Sequence, residues 1–168
     1  GRTRKQMSKV PADWELIRKA RELRDRIAPE TLIVGNGDVK NRAHGMALAE
    51  KYGLDGIMIG RGVFDDPFAF AAESPWQNKS ADERIALYRR HVGLFAETWQ
   101  HGERPIATLN KFCKIYINGF PDAKELREKL MSAKNITELQ DRLTLAQESY
   151  AAARNSSASP SATLANPA

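Results

Sequence analysis

Two glycine-rich stretches hold the residues of this sequence best suited to chemistry, Gly35-Asn36-Gly37-Asp38 and Gly60-Arg61-Gly62. Glycine lacks a Cβ, so the backbone can come close to a bound anion and turn its N–H groups towards the oxygens. Arg61 adds a guanidinium able to grip a phosphate through charge-assisted, bidentate bonds. Each stretch follows a short apolar run, residues 31–34 and 56–59, and leads towards a helical pattern. The first N–H groups of those helices would add partial positive charge. Glycine pairs after strands are often no more than turns, but two of them one βα unit apart favour an anion site. Asp38 has two readings, as N-cap of the next helix or as a residue that orients the loop, and capping is the expected one.

Those turns need a scaffold, and the apolar pattern supplies one. Trp14, Ile17, Ala20, Leu23 and Ile27 recur at helical spacing, and Pro29 closes the segment. A second helical pattern runs through Ala43, Ala47 and Leu48 to Tyr52 and stops at Gly53. Near-continuous apolar strands separated by amphipathic helices indicate a parallel sheet covered by helices. In (β/α)₈ barrels the carboxyl ends of the strands form the active site, and the loops after the last two strands commonly hold a phosphate.

From about Ser80 the β signal disappears. Ser80 with Glu83 makes a capping box, and Ile85, Tyr88, Val92, Phe95 and Trp99 form an apolar stripe expected to be core. Ile106, Leu109, Phe112 and Tyr116 mark a second helix, ended by Asn118-Gly119-Phe120-Pro121. Asp122 with Glu125 opens a third, and Asn135 with Glu138 a fourth that carries Leu139, Leu143 and Ala146. Four short helices with tight connections make a small bundle. The last residues, 155–168, are almost all Ser, Ala, Pro, Thr and Asn, and are expected to be a disordered tail.

The chain has 168 residues, 42% hydrophobic and 28% charged, which suits one ordinary domain or two small ones. No apolar run approaches the roughly 20 residues of a membrane-spanning helix. The basic start, Gly1 to Met7, has no apolar stretch behind it and does not read as a secretory signal. The single cysteine, Cys113, cannot form an internal disulfide, which fits a reducing cytoplasm. His44, His91 and His101 show no metal-ligand spacing, so no metal site is expected. A net charge of +5 favours a polyanionic partner through counterion release. There is no initiator methionine and the first strand comes only near Thr31, so the chain reads as a piece of something longer.

The motifs also form an ordered set. Gly1-Arg2-Thr3-Arg4, Ile33-Val34-Gly35-Asn36-Gly37-Asp38-Val39 and Gly53-Leu54-Asp55-Gly56-Ile57-Met58-Ile59-Gly60-Arg61-Gly62 resemble the back half of a tRNA-dihydrouridine synthase barrel. The resemblance continues through Asp66-Pro67-Phe68-Ala69-Phe70 and into Asn110-Lys111-Phe112-Cys113-Lys114-Ile115-Tyr116, covering about residues 1–150. It implies an α/β chain that forms the last βα units of an FMN-binding TIM barrel, followed by a small four-helix bundle domain that faces tRNA. It implies that NADPH reduces the flavin, that the flavin passes hydride to a uridine, and that a cysteine in the barrel's first half donates the proton. Carried over to this sequence, Asn36, Gly37 and Asp38 match the first phosphate-binding turn, and Gly60 and Arg61 the second. The catalytic cysteine, a lysine near the flavin and a histidine expected just before Gly1 belong to sequence not present here. Cys113 is instead expected to be a buried structural thiol.

The implied division is a barrel part at residues 1–75, an RNA-recognition part at 76–154 and the tail at 155–168. A uridine cannot be reduced inside its stack, so the RNA around it must be held by backbone and shape. The bundle offers Arg84, Arg89, Arg90, Arg104, Lys111 and Lys114, balanced in part by Glu83, Glu97 and Glu103. With the resemblance, Arg104, Lys111 and Lys114 become the expected phosphate contacts, and Arg2 and Arg4 the expected lining of the RNA entrance. Two other functions fit parts of the pattern: a different FMN- or phosphate-binding barrel enzyme, or a non-catalytic RNA-binding module.

Overall fold

The computed structural model describes residues 5–6 and 9–158, and the chain forms two compact units, Gly1–Asn78 and Lys79–Ala168. In the first unit, helix α1 (Trp14–Ile27) starts at Asp13, whose Oδ1 accepts the N–H groups of Glu15 and Leu16 at 3.0 and 3.3 Å. Helix α2 (Arg42–Tyr52) joins two parallel strands, β1 (Val34–Asn36) and β2 (Gly56–Met58), and a short helix α3 (Gly62–Asp65) follows β2. The ladder pairs Val34 with Gly56, Gly35 with Ile57 and Asn36 with Met58. Gly53 ends α2 in the left-handed conformation, φ 60°, where glycine carries no steric penalty. Trp14 stacks on Tyr52 with ring centroids 5.6 Å apart, tying α1 to α2. Gly35 makes room for the same indole, since a Cβ there would stand 2.9 Å from Trp14 Cζ3 and 2.6 Å from Leu54 Cδ1.

The amino ends of both strands are locked by Asp55. Its Oδ2 accepts the Ile33 N–H at 2.8 Å and Arg24 Nη1 at 2.9 Å, and its own N–H donates to the Ile33 carbonyl at 3.1 Å. The Ile33 N–H first, and Arg24 next, hold this carboxyl below the usual carboxylate range.

The strands are shorter than the apolar runs predict. Residues 31–33 fall outside β1, which instead takes in Gly35 and Asn36, and Leu32 is 75% exposed. Strand extent follows pairing rather than apolarity, and the ladder begins only where Gly56 meets Val34.

The second unit is helical: α4 (Ala81–Thr98), a 3₁₀ turn (Ile106–Leu109) running into α5 (Asn110–Tyr116), α6 (Ala123–Met131) and α7 (Ile136–Ala158). The capping box is formed, with Glu83 Oε2 accepting the Ser80 N–H at 2.9 Å. The helices close a ring, α4 against α5 and α7, and α6 against both of those. Ile85, Tyr88, Val92, Leu109, Cys113, Ile117, Leu130, Leu139 and Leu143 fill its core. Each large aliphatic side chain buried there stabilises the unit by about 1.5–3 kcal/mol. Two arginines bond the carbonyls that α5 leaves open at its end: Arg84 Nη1 donates to Asn118 O at 3.0 Å and Arg127 Nη1 to Ile117 O at 2.7 Å.

Two expectations need correction. Trp99 is not core: it is the C-cap of α4 and 37% exposed, with the Arg104 guanidinium 5.2 Å above its ring. The three-four spacing stops projecting inward once the helix ends. The tail does not begin at Asn155 either, because α7 continues through Ala158. Arg154 binds Ser80 Oγ at 2.9 Å and Asp82 at 3.3 Å, and Ser156 Oγ donates to the Ala152 carbonyl at 3.0 Å. Extending an existing helix by a turn is far easier than nucleating one. Residues 159–168 lie outside the described residues. Among the described residues, no helix is long and apolar enough to cross a membrane.

Candidate functional site

The parallel register sets the two glycine turns side by side at the carboxyl ends of β1 and β2. Asn36, Gly37, Asp38, Gly60 and Arg61 line one open hollow of about 630 Å³, joined by Lys40 and Gly62. The loop around Gly37 is fixed from outside: Trp14 Nε1 donates to the Gly37 carbonyl at 3.2 Å, and His44 Nδ1 accepts the Lys40 N–H at 3.2 Å.

The three turn glycines that lie outside β1 have different reasons to be glycine. Gly37 has φ 143°, and a Cβ there would stand 2.5 Å from Ala12 Cβ. At Gly62 a Cβ would lie 2.3 Å from the Lys40 carbonyl oxygen and 2.8 Å from that of Val39, so the two turns touch backbone to backbone. At Gly60 a Cβ would meet no described residue within 4 Å. Gly37 and Gly62 are therefore required by the fold, whereas the space beside Gly60 belongs to the hollow.

Asp38 does not cap α2. The cap is Asn41, whose Oδ1 accepts the His44 N–H at 2.9 Å, because a cap must directly precede the first helical residue, here Arg42. Asp38 instead adopts φ 53° and bridges two segments. Its Oδ2 accepts the Ala12 N–H at 2.9 Å and its Oδ1 pairs with Arg61 Nη2 at 2.9 Å. Both side chains are substantially exposed, 36% and 62%, so this pair contributes only about 0–1 kcal/mol. Helix α3, after the second turn, is itself a single turn, so few peptide dipoles add at its start. Among the described residues lining the hollow, the cations are Arg61 and Lys40, beside the turn backbone. Lys40 was not singled out from the sequence, although a cation three residues after Gly37 was a readable signal.

In the helical unit, Arg104, Lys111 and Lys114 are exposed, Lys111 with its ammonium 4.8 Å over the Phe112 ring. Arg84 is half-buried, bound to the Lys79 and Asn118 carbonyls at 3.1 and 3.0 Å, and is structural rather than a surface cation. Arg2 and Arg4 lie outside the described residues. Cys113 is fully buried and its thiol is pushed up to about 11 by burial, so it stays protonated at neutral pH. Beside it, Tyr88 stacks on Tyr116, whose hydroxyl lies 3.2 Å from His91 Nδ1. Burial lowers the His91 imidazole below its ordinary value. Among the described residues no group of His, Cys, Asp and Glu is arranged to hold a metal ion.

Comparison with known proteins adds to this geometry. The model of the family described as "Dihydrouridine synthase (Dus)" matches residues 1–154. A "Probable tRNA-dihydrouridine synthase" of Staphylococcus epidermidis (strain ATCC 35984) is 48% identical over 142 residues, 84% of this chain and 43% of the relative. One of Staphylococcus aureus (strain Mu50) is 48% identical over 137 residues, 82% of this chain and 41% of the relative. The "Probable tRNA-dihydrouridine synthase 2" of Bacillus subtilis (strain 168) is 48% identical over 138 residues, 82% of this chain and 42% of the relative. The chain thus spans a little over two fifths of the length of the curated relatives it matches.

Proposed function

The chain belongs to the dihydrouridine synthase family, and from that premise we propose that its paired turns hold the phosphate of FMN in an oxidoreductase that reduces uridine to 5,6-dihydrouridine in tRNA. The family implies a TIM barrel joined to a helical domain; we assign residues 1–75 to the last βα units of that barrel and 76–154 to the RNA-facing domain. The observation that carries the reading is the shared hollow at the carboxyl ends of two paired parallel strands.

The residues present suit a phosphate monoester. Gly60 leaves its backbone open to the hollow, and Arg61 can trade a weak, exposed partner for a doubly charged one. Hydrogen bonds to charged groups contribute about 1.5–3 kcal/mol, more than an exposed ion pair does. Asn36 and Gly37 line the same hollow, Asp38 keeps Arg61 beside the turn, and Lys40 adds a second positive charge. FMN held there would supply hydride chemistry for the C5–C6 double bond of the base, with NADPH as the reductant. Arg104, Lys111 and Lys114 hold RNA phosphates around a uridine drawn out of its stack, and Arg2 and Arg4 are assigned by the family resemblance as further RNA contacts. The proton donor is not in this chain: its one cysteine is buried in the bundle as the neutral thiol, so the chain alone is expected to reduce no uridine.

The test is a division of labour in a protein of full family length carrying this chain. Arg61→Ala should release FMN and leave tRNA affinity near its starting value. Lys111→Ala should keep FMN, weaken tRNA binding and lower its salt slope by about one. Equal flavin loss in the two variants would overturn the assignment.

A further inference from the structure

We propose that the groove between α4 and α7 is a second seat for the RNA backbone, apart from Arg104, Lys111 and Lys114. The inference rests on the reading of the whole protein as acting on tRNA. The groove has a volume of about 440 Å³ and is lined by Ala86, Arg89, Arg90, Gly93, Gln140 and Gln147. Among the described residues its polar side chains are two guanidinium groups and two amides, with no carboxylate.

Helix register builds this channel. Helices α4 and α7 run antiparallel, with Arg154 meeting Ser80 and Asp82 near one end. About two turns along, Arg89 Nη1 donates to Gln147 Oε1 at 3.0 Å. A further two turns along α7 comes Gln140, which lines the groove with Gly93. Arg89 is thereby oriented by an amide rather than neutralised by an acid. The Arg90 guanidinium has no ion pair or hydrogen bond with any described residue. A guanidinium pair of this kind, one held and one uncommitted, suits the forked recognition of phosphate oxygens. The amides of Gln140 and Gln147 can donate to phosphate oxygens and accept from ribose 2′-hydroxyls.

Gly93 is the independent observation. It sits inside the helix Ala81–Thr98, where glycine costs roughly 0.5–1 kcal/mol relative to alanine. The described fold does not require it, since a Cβ there would meet no described residue within 4 Å and its φ lies outside the left-handed region. What its bare backbone does is keep the groove floor open between the arginines and the glutamines. An acid-free channel of that kind has charge complementarity to a polyphosphate chain and none to a basic protein surface.

The experiment titrates an unmodified tRNA transcript into the full chain over a range of salt. The variants are Arg89→Ala/Arg90→Ala and Gly93→Glu, each accompanied by a thermal melt. The double variant should weaken binding on the order of tenfold and lower the salt slope by about one for each phosphate left without its arginine. Gly93→Glu places a carboxylate in the groove but improves helix propensity, so it should weaken binding with no fall in melting temperature. Unchanged affinity and slope in both variants, with Lys111→Ala still weakening binding, would refute the groove and leave the tRNA reading intact. No tRNA binding by the starting chain would refute the groove, and none by a protein of full family length carrying it would refute both.

Discussion

Replacing each turn glycine by alanine separates what the fold needs from what the ligand needs. At Gly62 the added methyl would stand 2.3 Å from one backbone oxygen and 2.8 Å from another. Neither atom is the flexible end of a side chain, so the two turns must part. Overpacking of this kind costs about 1–3 kcal/mol, and in a chain of this size each kcal/mol lowers the melting temperature by roughly 2–4 °C. Gly62→Ala should therefore melt roughly 2–12 °C early. At Gly60 the methyl meets none of the described residues, and alanine at a compatible position stabilises by about 0.4–1 kcal/mol through the unfolded chain. Gly60→Ala should thus melt at or slightly above the starting temperature. On the proposed reading, the same methyl would take the space of a phosphate oxygen resting on the turn backbone. Losing one charge-assisted hydrogen bond, about 1.5–3 kcal/mol, weakens binding roughly ten- to hundredfold. Circular dichroism melts of the chain, with flavin fluorescence titrations on a protein of full family length, measure both quantities. A Gly60→Ala variant that binds FMN as tightly as its parent would refute the placement of the phosphate, and a Gly62→Ala variant with an unshifted melt would refute the steric argument.

Other consequences can be measured on the chain itself. Burial holds the His91 imidazole below its ordinary value of 6.5, so the unfolded chain takes up the proton first. Stability should fall as pH drops below about 6.5 towards the lower folded value, and His91→Gln should remove that part of the pH dependence. Asn41→Ala deprives the His44 N–H of its acceptor and should cost about 1 kcal/mol in a urea melt. Arg84→Ala leaves the Asn118 carbonyl at the end of α5 without its half-buried donor, and should cost about 1–3 kcal/mol.

Legibility in the sequence tracked how local each cause was. Helix starts at Ser80 and stops at Gly53 were readable, because capping chemistry and left-handed φ are decided within a few residues. The four helices of the second unit followed from spacing, since a continuous apolar stripe has few places to go. Strand limits were not readable, because Val34–Asn36 is defined by its neighbour across the ladder. The choice between Asp38 and Asn41 as cap was equally hidden: both are good capping residues, and only the first helical turn decides between them. The two glycine turns were found together because each follows its own strand, but the approach of Gly62 to the Lys40 carbonyl is a long-range fact. Trp99 misled because its spacing is helical while its position is past the helix end.

The two units differ in self-sufficiency. Every member of the buried cluster around Leu143 comes from the helical part, so that part finishes its interior with its own residues. The α/β part leaves Leu32, Val34, Met58, Phe64 and Phe70 at least half exposed, on and around a ribbon of two strands. Two strands alone are marginal in water. The helical part can therefore accumulate surface substitutions without consulting its neighbour, while the part bearing the glycine turns is answerable to whatever covers those side chains. Substitutions should accordingly be tolerated more freely on the surface of the helical part than on the faces of the two-stranded ribbon.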